Sequence, residues 1–161
     1  MKKYVPRSHG ENRMKDEGNT LSARKKYYLR NNKNLEFLLK GRFTWMNNHI
    51  QVDSKGIEVG SGTGVSKEYI KCNNFEITDF SDNDWLDHKM IDALATGFDN
   101  DSFDFVISSN MIHHVPYPTK FFEEMYRILK PGGKLIIQEI NCSFFMKILL
   151  RMMRHEGFDY T

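Results

Sequence analysis

Cysteine is scarce in this chain, and the two that 161 residues hold, Cys72 and Cys142, match no metal-ligand spacing. A disulfide scaffold is therefore not expected, and free buried thiols in a reducing, cytoplasmic setting are. Long apolar runs are missing too. None approaches the ~20 residues that a bilayer-spanning helix needs, so no transmembrane segment is expected. The basic start, Met1-Lys2-Lys3-Tyr4-Val5-Pro6, has no apolar stretch behind it, which argues against a secretory leader. No internal repeat is visible. What the chain does have, 40% hydrophobic and 13% aromatic residues, is enough to pack one domain around one core.

Net charge is small, +2, but unevenly placed. Residues 1–42 carry 12 Lys and Arg against 4 acids, and residues 43–161 carry 11 against 17. A basic arm on an acidic body suits nucleic acid, an anionic membrane surface or an acidic substrate, or else a solvated tail lying against its own body. Residues 1–19 read as a flexible basic segment, and residues 20–161 as a single domain. Leu35, Leu38, Leu39, Phe43, Met46 and Ile50 recur at helical spacing, and Tyr27 and Tyr28 fit a short helix before them.

Beyond Ser54-Lys55-Gly56, a turn signal, the pattern alternates. A strand reaches Gly60, a helix spans Val65–Ile70, and a strand spans Phe75–Thr78. A brief strand at Met90–Ile91 and another at Phe103–Ser108 follow. Pro118 opens a helix to about Leu129, where proline is tolerated in the first turn. Pro131-Gly132-Gly133 ends it before a fifth strand, Leu135–Ile140, and a last helix, Ser143–Arg154. Such alternation specifies a parallel α/β sheet.

The densest chemistry lies at Ile57-Glu58-Val59-Gly60-Ser61-Gly62-Thr63-Gly64. A buried strand ends in an acid, and three alternating glycines let the main chain turn with no Cβ between it and a ligand. The spacing is G-x-G-x-G, not the G-x-G-x-x-G of a dinucleotide fold, and it points to a nucleotide-like ligand. Asp79, Asp82, Asp84 and Asp87 form an acidic cluster, but lack the glycine and closing glutamate of a calcium loop, so turn acids and no metal are expected. Trp85 either stacks on a ligand or seals the core.

Five ordered blocks carry a resemblance. They are Glu58–Gly64, Asp92-Ala93, Ser102-Phe103-Asp104-Phe105-Val106, Asn110-Met111-Ile112-His113-His114-Val115 and Arg127-Ile128-Leu129-Lys130-Pro131-Gly132-Gly133. Together, over roughly residues 55–140, the chain resembles the class I S-adenosylmethionine-dependent methyltransferases of the type 11 subgroup. The resemblance implies a three-layer, Rossmann-like parallel sheet with S-adenosyl-L-methionine as cofactor. It implies that Gly60, Ser61, Gly62 and Gly64 approach the methionyl part and ribose, and that Glu58 sits below the ammonium. Asp79 would take the ribose hydroxyls, Asp92 and the Ala93 main chain the adenine edge, and the Asn110 main chain the methionyl pocket. The alternative for Asp79 is a cap or turn acid, and for Asp92 a turn acid. His113 and His114 are the candidate catalytic pair, as a base for a hydroxyl acceptor, or else pack against the following loop.

Against that family, the 13 positions from Asp79 to Asp92 leave no room for a full helix and strand, and two strands expected after the fifth have no counterpart. The fifth strand would then be an uncovered edge, able to pair with a second copy. Residues 20–50 would form a helical lid over the cofactor. Lys147, Arg151 and Arg154 on the last helix either snorkel over the sheet or meet a membrane interface. His155–Asp159 resembles the end of methyltransferases of surface-polysaccharide clusters, which implies a glycan acceptor. The expected function is methyl transfer to an O, N or C atom of a small molecule or glycan. The rivals are a non-catalytic cofactor-binding scaffold and an RNA methyltransferase using the basic arm. A nicotinamide oxidoreductase is disfavoured by the glycine spacing.

Overall fold

The computed structural model describes residues 19–30, 33–139, 143–145 and 148. Two helices, α1 (Thr20–Arg30) and α2 (Lys33–Thr44), lead through a 3-10 turn at Trp45–His49 into β1 (Lys55–Val59). Then come β2 (Asn74–Thr78), β3 (Phe103–Ser109), α3 (Pro118–Ile128) and β4 (Leu129–Gln138). The four strands make one parallel sheet in the order β2-β1-β3-β4. The expected α/β class is what forms. The central strands β1 and β3 are buried nearly end to end, as parallel strands covered on both faces must be.

Each face has its own core. Leu39, Phe43 and Met46, from α2 and the turn after it, pack with Ile77, Phe105 and Ile107. Phe121, Met125 and Ile128 of α3 pack on Ile57, Val59 and Val106 from the other side. Three layers result. Phe103 and Phe105, two residues apart, should share a face, yet Phe103 joins the α3 core and Phe105 the α2 core. The β3–β4 register shifts between these two residues, with the extra residues on β4. Gly56 makes room for the second ring: a Cβ there would lie 2.0 Å from Phe105 Cζ.

α3 is positioned at both ends. Pro118 sits in its first turn. Its last carbonyls, of Arg127 and Ile128, accept from the Asp101 and Ser102 N–H groups at 3.0 and 2.8 Å, which satisfies acceptors that a helix end leaves open. Glu124 is buried against Arg127 and Thr96, and the Arg127 guanidinium holds its carboxyl down at about 2. Arg127 also donates to Phe98 O (2.7 Å) and Asn100 Oδ1 (2.8 Å). The arginine of the fifth sequence block is thus a clasp between helix and loop.

Four expectations need correction. The helix over Val65–Ile70 is a 3-10 turn, Val65–Glu68, because Gly64 enters it in the left-handed region (φ 67) and Tyr69 N–H bonds back to Ser66 O. Met90–Ile91 forms no strand: Met90 has φ 56 and breaks the extended run. β4 begins at Leu129 and runs through Pro131-Gly132-Gly133 rather than after it. Leu38 is not on the core face but exposed, about 100° round the helix from Leu39. Cys72 is half-buried, and its Sγ donates to Ser54 O at 3.0 Å. Residues 1–18, Cys142, Lys147, Arg151, Arg154 and the closing segment 155–159 lie outside the described residues, as does most of the last helix.

Because Phe121 is fully buried between α3 and the sheet, Phe121→Ala is expected to lower unfolding free energy by roughly 3–5 kcal/mol. A urea titration followed by circular dichroism checks this, and a loss under ~1 kcal/mol would mean that α3 does not close that layer.

Candidate functional site

The site grows from the carboxyl ends of β1 and β2. Val59 ends β1, and the chain turns through Gly60, Gly62 and Gly64, all with positive φ (74, 52 and 67). Main chain and side chains of the β2 tip pin this turn. Thr78 O accepts from Gly60 N–H and Ser61 N–H, both at 3.0 Å, and from Ser61 Oγ at 2.9 Å. Asp79 accepts Gly62 N–H on Oδ2 and Ser81 N–H on Oδ1, both at 2.9 Å. The glycines differ in why they are needed. A Cβ at Gly60 would lie 2.3 Å from Met111 Cγ, and one at Gly64 2.7 Å from Ile77 Cδ1. At Gly62 only the Thr20 methyl approaches, at 3.7 Å. Gly60 and Gly64 are glycines for the protein's own packing, whereas a Cβ at Gly62 would meet only an ordinary contact with Thr20.

α1 closes down on this turn. Arg24 Nη1 donates to Thr63 O, and its guanidinium lies over the Tyr28 and Trp85 rings at 4.9 and 5.0 Å. Trp85 Nε1 donates to Gly62 O at 3.0 Å. Trp85 therefore braces the turn and packs beside the α2-side core. Tyr27 and Tyr28 both donate to Glu68, and Asn83 Nδ2 to Thr20 Oγ1 at 2.9 Å.

Glu58 is 2% exposed, on the α2 side of the sheet, and its carboxyl accepts from Ser66 Oγ. Burial pushes it up to about 7, partly opposed by the Ser66 hydrogen bond and the charge of Arg42, and aided by Asp79. Asp92 is exposed and closes its own turn, accepting Leu94 N–H at 2.8 Å. Ala93 packs into the α3-side core. The acidic cluster is spent on pairing: Lys89 bonds Asp82 and Asp84, and Lys67 bonds Asp87. No group of side chains suited to a metal ion occurs among the described residues.

The second half of the site lies at the tips of β3 and β4. Asn110 has φ 53 and its N–H donates to Gln138 O at 2.7 Å. The chain then turns outward through a 3-10 turn, Ile112–His114. Glu139, just past β4, holds this turn. Its Oε1 accepts the Met111 and Ile112 N–H groups at 2.9 and 2.7 Å, and its Oε2 lies 2.7 Å from His113 Nδ1. Burial would raise the Glu139 carboxyl, but the hydrogen bonds from His113, Ile112 and Met111 hold it below the usual range. A carboxylate only accepts, so Nδ1 carries a hydrogen, which in the neutral ring leaves the lone pair on Nε2. The rings of His113 and His114 lie 4.0 Å apart, centre to centre. Glu139 escaped the sequence reading because the expected fifth strand, Leu135–Ile140, enclosed it, whereas β4 ends at Gln138 and leaves Glu139 one step beyond a strand tip, as Asp79 is.

The methyltransferase-domain profile of type 11 matches residues 57–137, half of the chain. The chain belongs to this methyltransferase-domain family. A demethylmenaquinone methyltransferase of Clavibacter sepedonicus is 30% identical over 99 residues, 53% of this chain and 40% of that protein. A phosphoethanolamine N-methyltransferase of Caenorhabditis elegans is 44% identical over 50 residues, 31% of this chain and 11% of that protein. The methyltransferase domain thus spans well under half the length of these relatives. Among solved structures, a SAM-dependent methyltransferase of Thermotoga maritima superposes with a TM-score of 0.56 at 21% identity, covering 84% of this chain and 65% of that one. A protein of Pyrococcus horikoshii does so at 0.59 and 19%, covering 80% and 65%. These likenesses establish the Rossmann-like fold of the methyltransferase domain.

Glu58 makes the domain's stability depend on pH. Its carboxyl titrates near 7 in the folded chain and near 4.5 unfolded, so the folded state holds the extra proton and loses that advantage as pH rises from about 4.5 through 7. Glu58→Gln keeps the shape and never ionises. Its melting temperature is expected to exceed wild type at pH 8, with the gap closing toward pH 5. A gap independent of pH would contradict the buried, proton-holding carboxyl.

Proposed function

We propose that this methyltransferase domain binds S-adenosyl-L-methionine and passes its methyl group to an O, N or C atom of a small-molecule or glycan acceptor. The observation that carries the proposal is the rigid glycine turn between two strand-tip carboxylates in a domain of this family. The cofactor would supply an electrophilic methyl on a sulfonium, with an ammonium and two ribose hydroxyls as handles. The residues suit those handles. Each oxygen of Asp79 spends one lone pair on an amide and keeps another for a hydroxyl. Glu58 is a buried carboxyl with one hydrogen-bond donor, Ser66, and a nearby ammonium would favour its ionised form. The lack of a Cβ at Gly62 leaves its main chain free of a side-chain barrier to close approach. Asp92 with Ala93 is assigned to the adenine edge, and the Asn110 main chain to the methionyl side. α1 and α2 serve as the lid.

Methyl transfer gains much of its rate from alignment of attacking atom and methyl. A hydroxyl or acidic C–H acceptor must also lose a proton, and His113 is the group assigned to take it at Nε2. Glu139 is a positioning residue: it fixes the tautomer and would stabilise the imidazolium once formed. His114 stays a lesser candidate, its ring beside that of His113 and tilted 46° to it.

Calorimetry with S-adenosylhomocysteine, then label transfer from methyl-tritiated cofactor into a small-molecule extract, tests the proposal. Asp79→Ala is expected to weaken binding ~10–100-fold, the loss of one or two hydrogen bonds to a charged group. His113→Ala is expected to leave binding intact and lower transfer 10²–10⁴-fold, about the range of general-base catalysis. Glu139→Gln should shift the pH profile of transfer. Binding without transfer to any acceptor would leave the cofactor-binding scaffold, and no binding by folded protein would overturn the proposal.

A further inference from the structure

The strand order β2-β1-β3-β4 divides the sheet between β1 and β3: the chain runs from β1 to a neighbour on one side, and from β3 to a neighbour on the other. Ligands of open parallel sheets sit at such a parting. The two turns that flank it lean away from each other. The glycine turn bonds to the tip of β2, through Thr78 O and Asp79. The histidine turn bonds to the exit of β4, through Gln138 O and Glu139. Among the described residues, no hydrogen bond joins 60–64 to 110–115.

The side chain of Met111 crosses this gap. A Cβ on Gly60 would lie 2.3 Å from Met111 Cγ, 3.1 Å from its Cβ and 3.6 Å from its Sδ. The thioether chain therefore rests along the bare Cα of Gly60. On its other side Met111 packs against the α3-side core, so empty space does not take up a movement of Gly60. The main chain of the same residue leads to the imidazole. Met111 N–H donates to Glu139 Oε1 at 2.9 Å, and the second oxygen of that carboxylate lies 2.7 Å from His113 Nδ1. Met111 O accepts from the His114 N–H, also at 2.9 Å. A shift of Met111 thus moves the carboxylate and the histidine turn together.

We infer that Met111 is a positioning residue, which couples the seating of a ligand on the glycine turn to the placement of the His113 ring. The inference rests on the cofactor and base assignments made above, and adds to them that seating the cofactor aligns the base. Misplacement of a reacting group by ~1 Å costs about a hundredfold in rate, so a small shift carried from Gly60 to His113 matters to transfer.

The test follows the His113 ring in carbon–proton correlation spectra and the Gly60 amide in nitrogen–proton spectra. His113→Ala identifies the ring peak among those of the six histidines. In wild type, S-adenosylhomocysteine is expected to move both peaks along one saturation curve. Met111→Leu, which keeps the volume, should preserve both responses. Met111→Ala should keep the Gly60 response and lose that of His113, with folding checked by circular dichroism. A role in packing alone would lower stability in Met111→Ala yet leave the His113 response in place. Without ligand, Gly60→Ala should displace the His113 peak, because its Cβ would press on Met111 Cγ. In a Met111→Ala background the same change should leave that peak nearly still. Three results would overturn the inference: a His113 response to ligand undiminished in Met111→Ala; a wild-type Gly60 peak that moves while His113 stays; or Gly60→Ala leaving the His113 peak in place. A wild-type Gly60 peak that never moves would count against the ligand seat itself, and the ligand-free arm would still decide the coupling.

Discussion

Thr78 and Asp79 bind the tip of β1 to the tip of β2, and the rest of the site depends on that junction. One carbonyl and one carboxylate take three amide hydrogens and a hydroxyl from Gly60, Ser61 and Gly62. A turn with three residues at positive φ would otherwise be the loosest part of the chain. Pinned in this way, it presents a fixed surface to which Trp85 and Arg24 attach from the outside, each by a hydrogen bond to one of its carbonyls. α1 is thus held by the same turn that it covers.

The histidine turn repeats the device at the neighbouring pair of strands. Asn110 N–H bonds Gln138 O across β3 and β4, and the next residue of β4's exit, Glu139, gathers two amides and an imidazole. Met111 touches both halves, since its side chain occupies the space that a Cβ on Gly60 would need. Movement of the histidine turn would therefore be felt at the glycine turn. The two carboxylates are tuned oppositely by their surroundings. Glu58 has one donor and is driven up by burial, whereas Glu139 has three and is held down.

The fold class and the positions of β1, β2 and β3 were legible because buried parallel strands are short apolar runs bounded by glycine, asparagine or aspartate. Val59–Gly60 and Ser109–Asn110 are such boundaries. Local backbone geometry was not legible. Nothing in Met90-Ile91 announces a left-handed residue, and the proline and glycines at 131–133 read as a stop although β4 passes through them. In the site, Glu58, Asp79 and the glycines stood out as acids and turns at strand tips. Whether each glycine serves packing or a ligand needed the positions of Met111 and Ile77. Glu139 was hidden because its partners are backbone amides and a histidine 26 positions away, a pairing that only the β3–β4 register creates.

Amide chemical shifts of the 15N-labelled chain, titrated with S-adenosylhomocysteine, test the central claim most directly. The account predicts that Gly60, Ser61, Gly62 and Gly64 shift together with Asn110 and Met111, along one saturating curve. Saturable shifts confined to other parts of the chain, with the glycine amides unmoved, would contradict it.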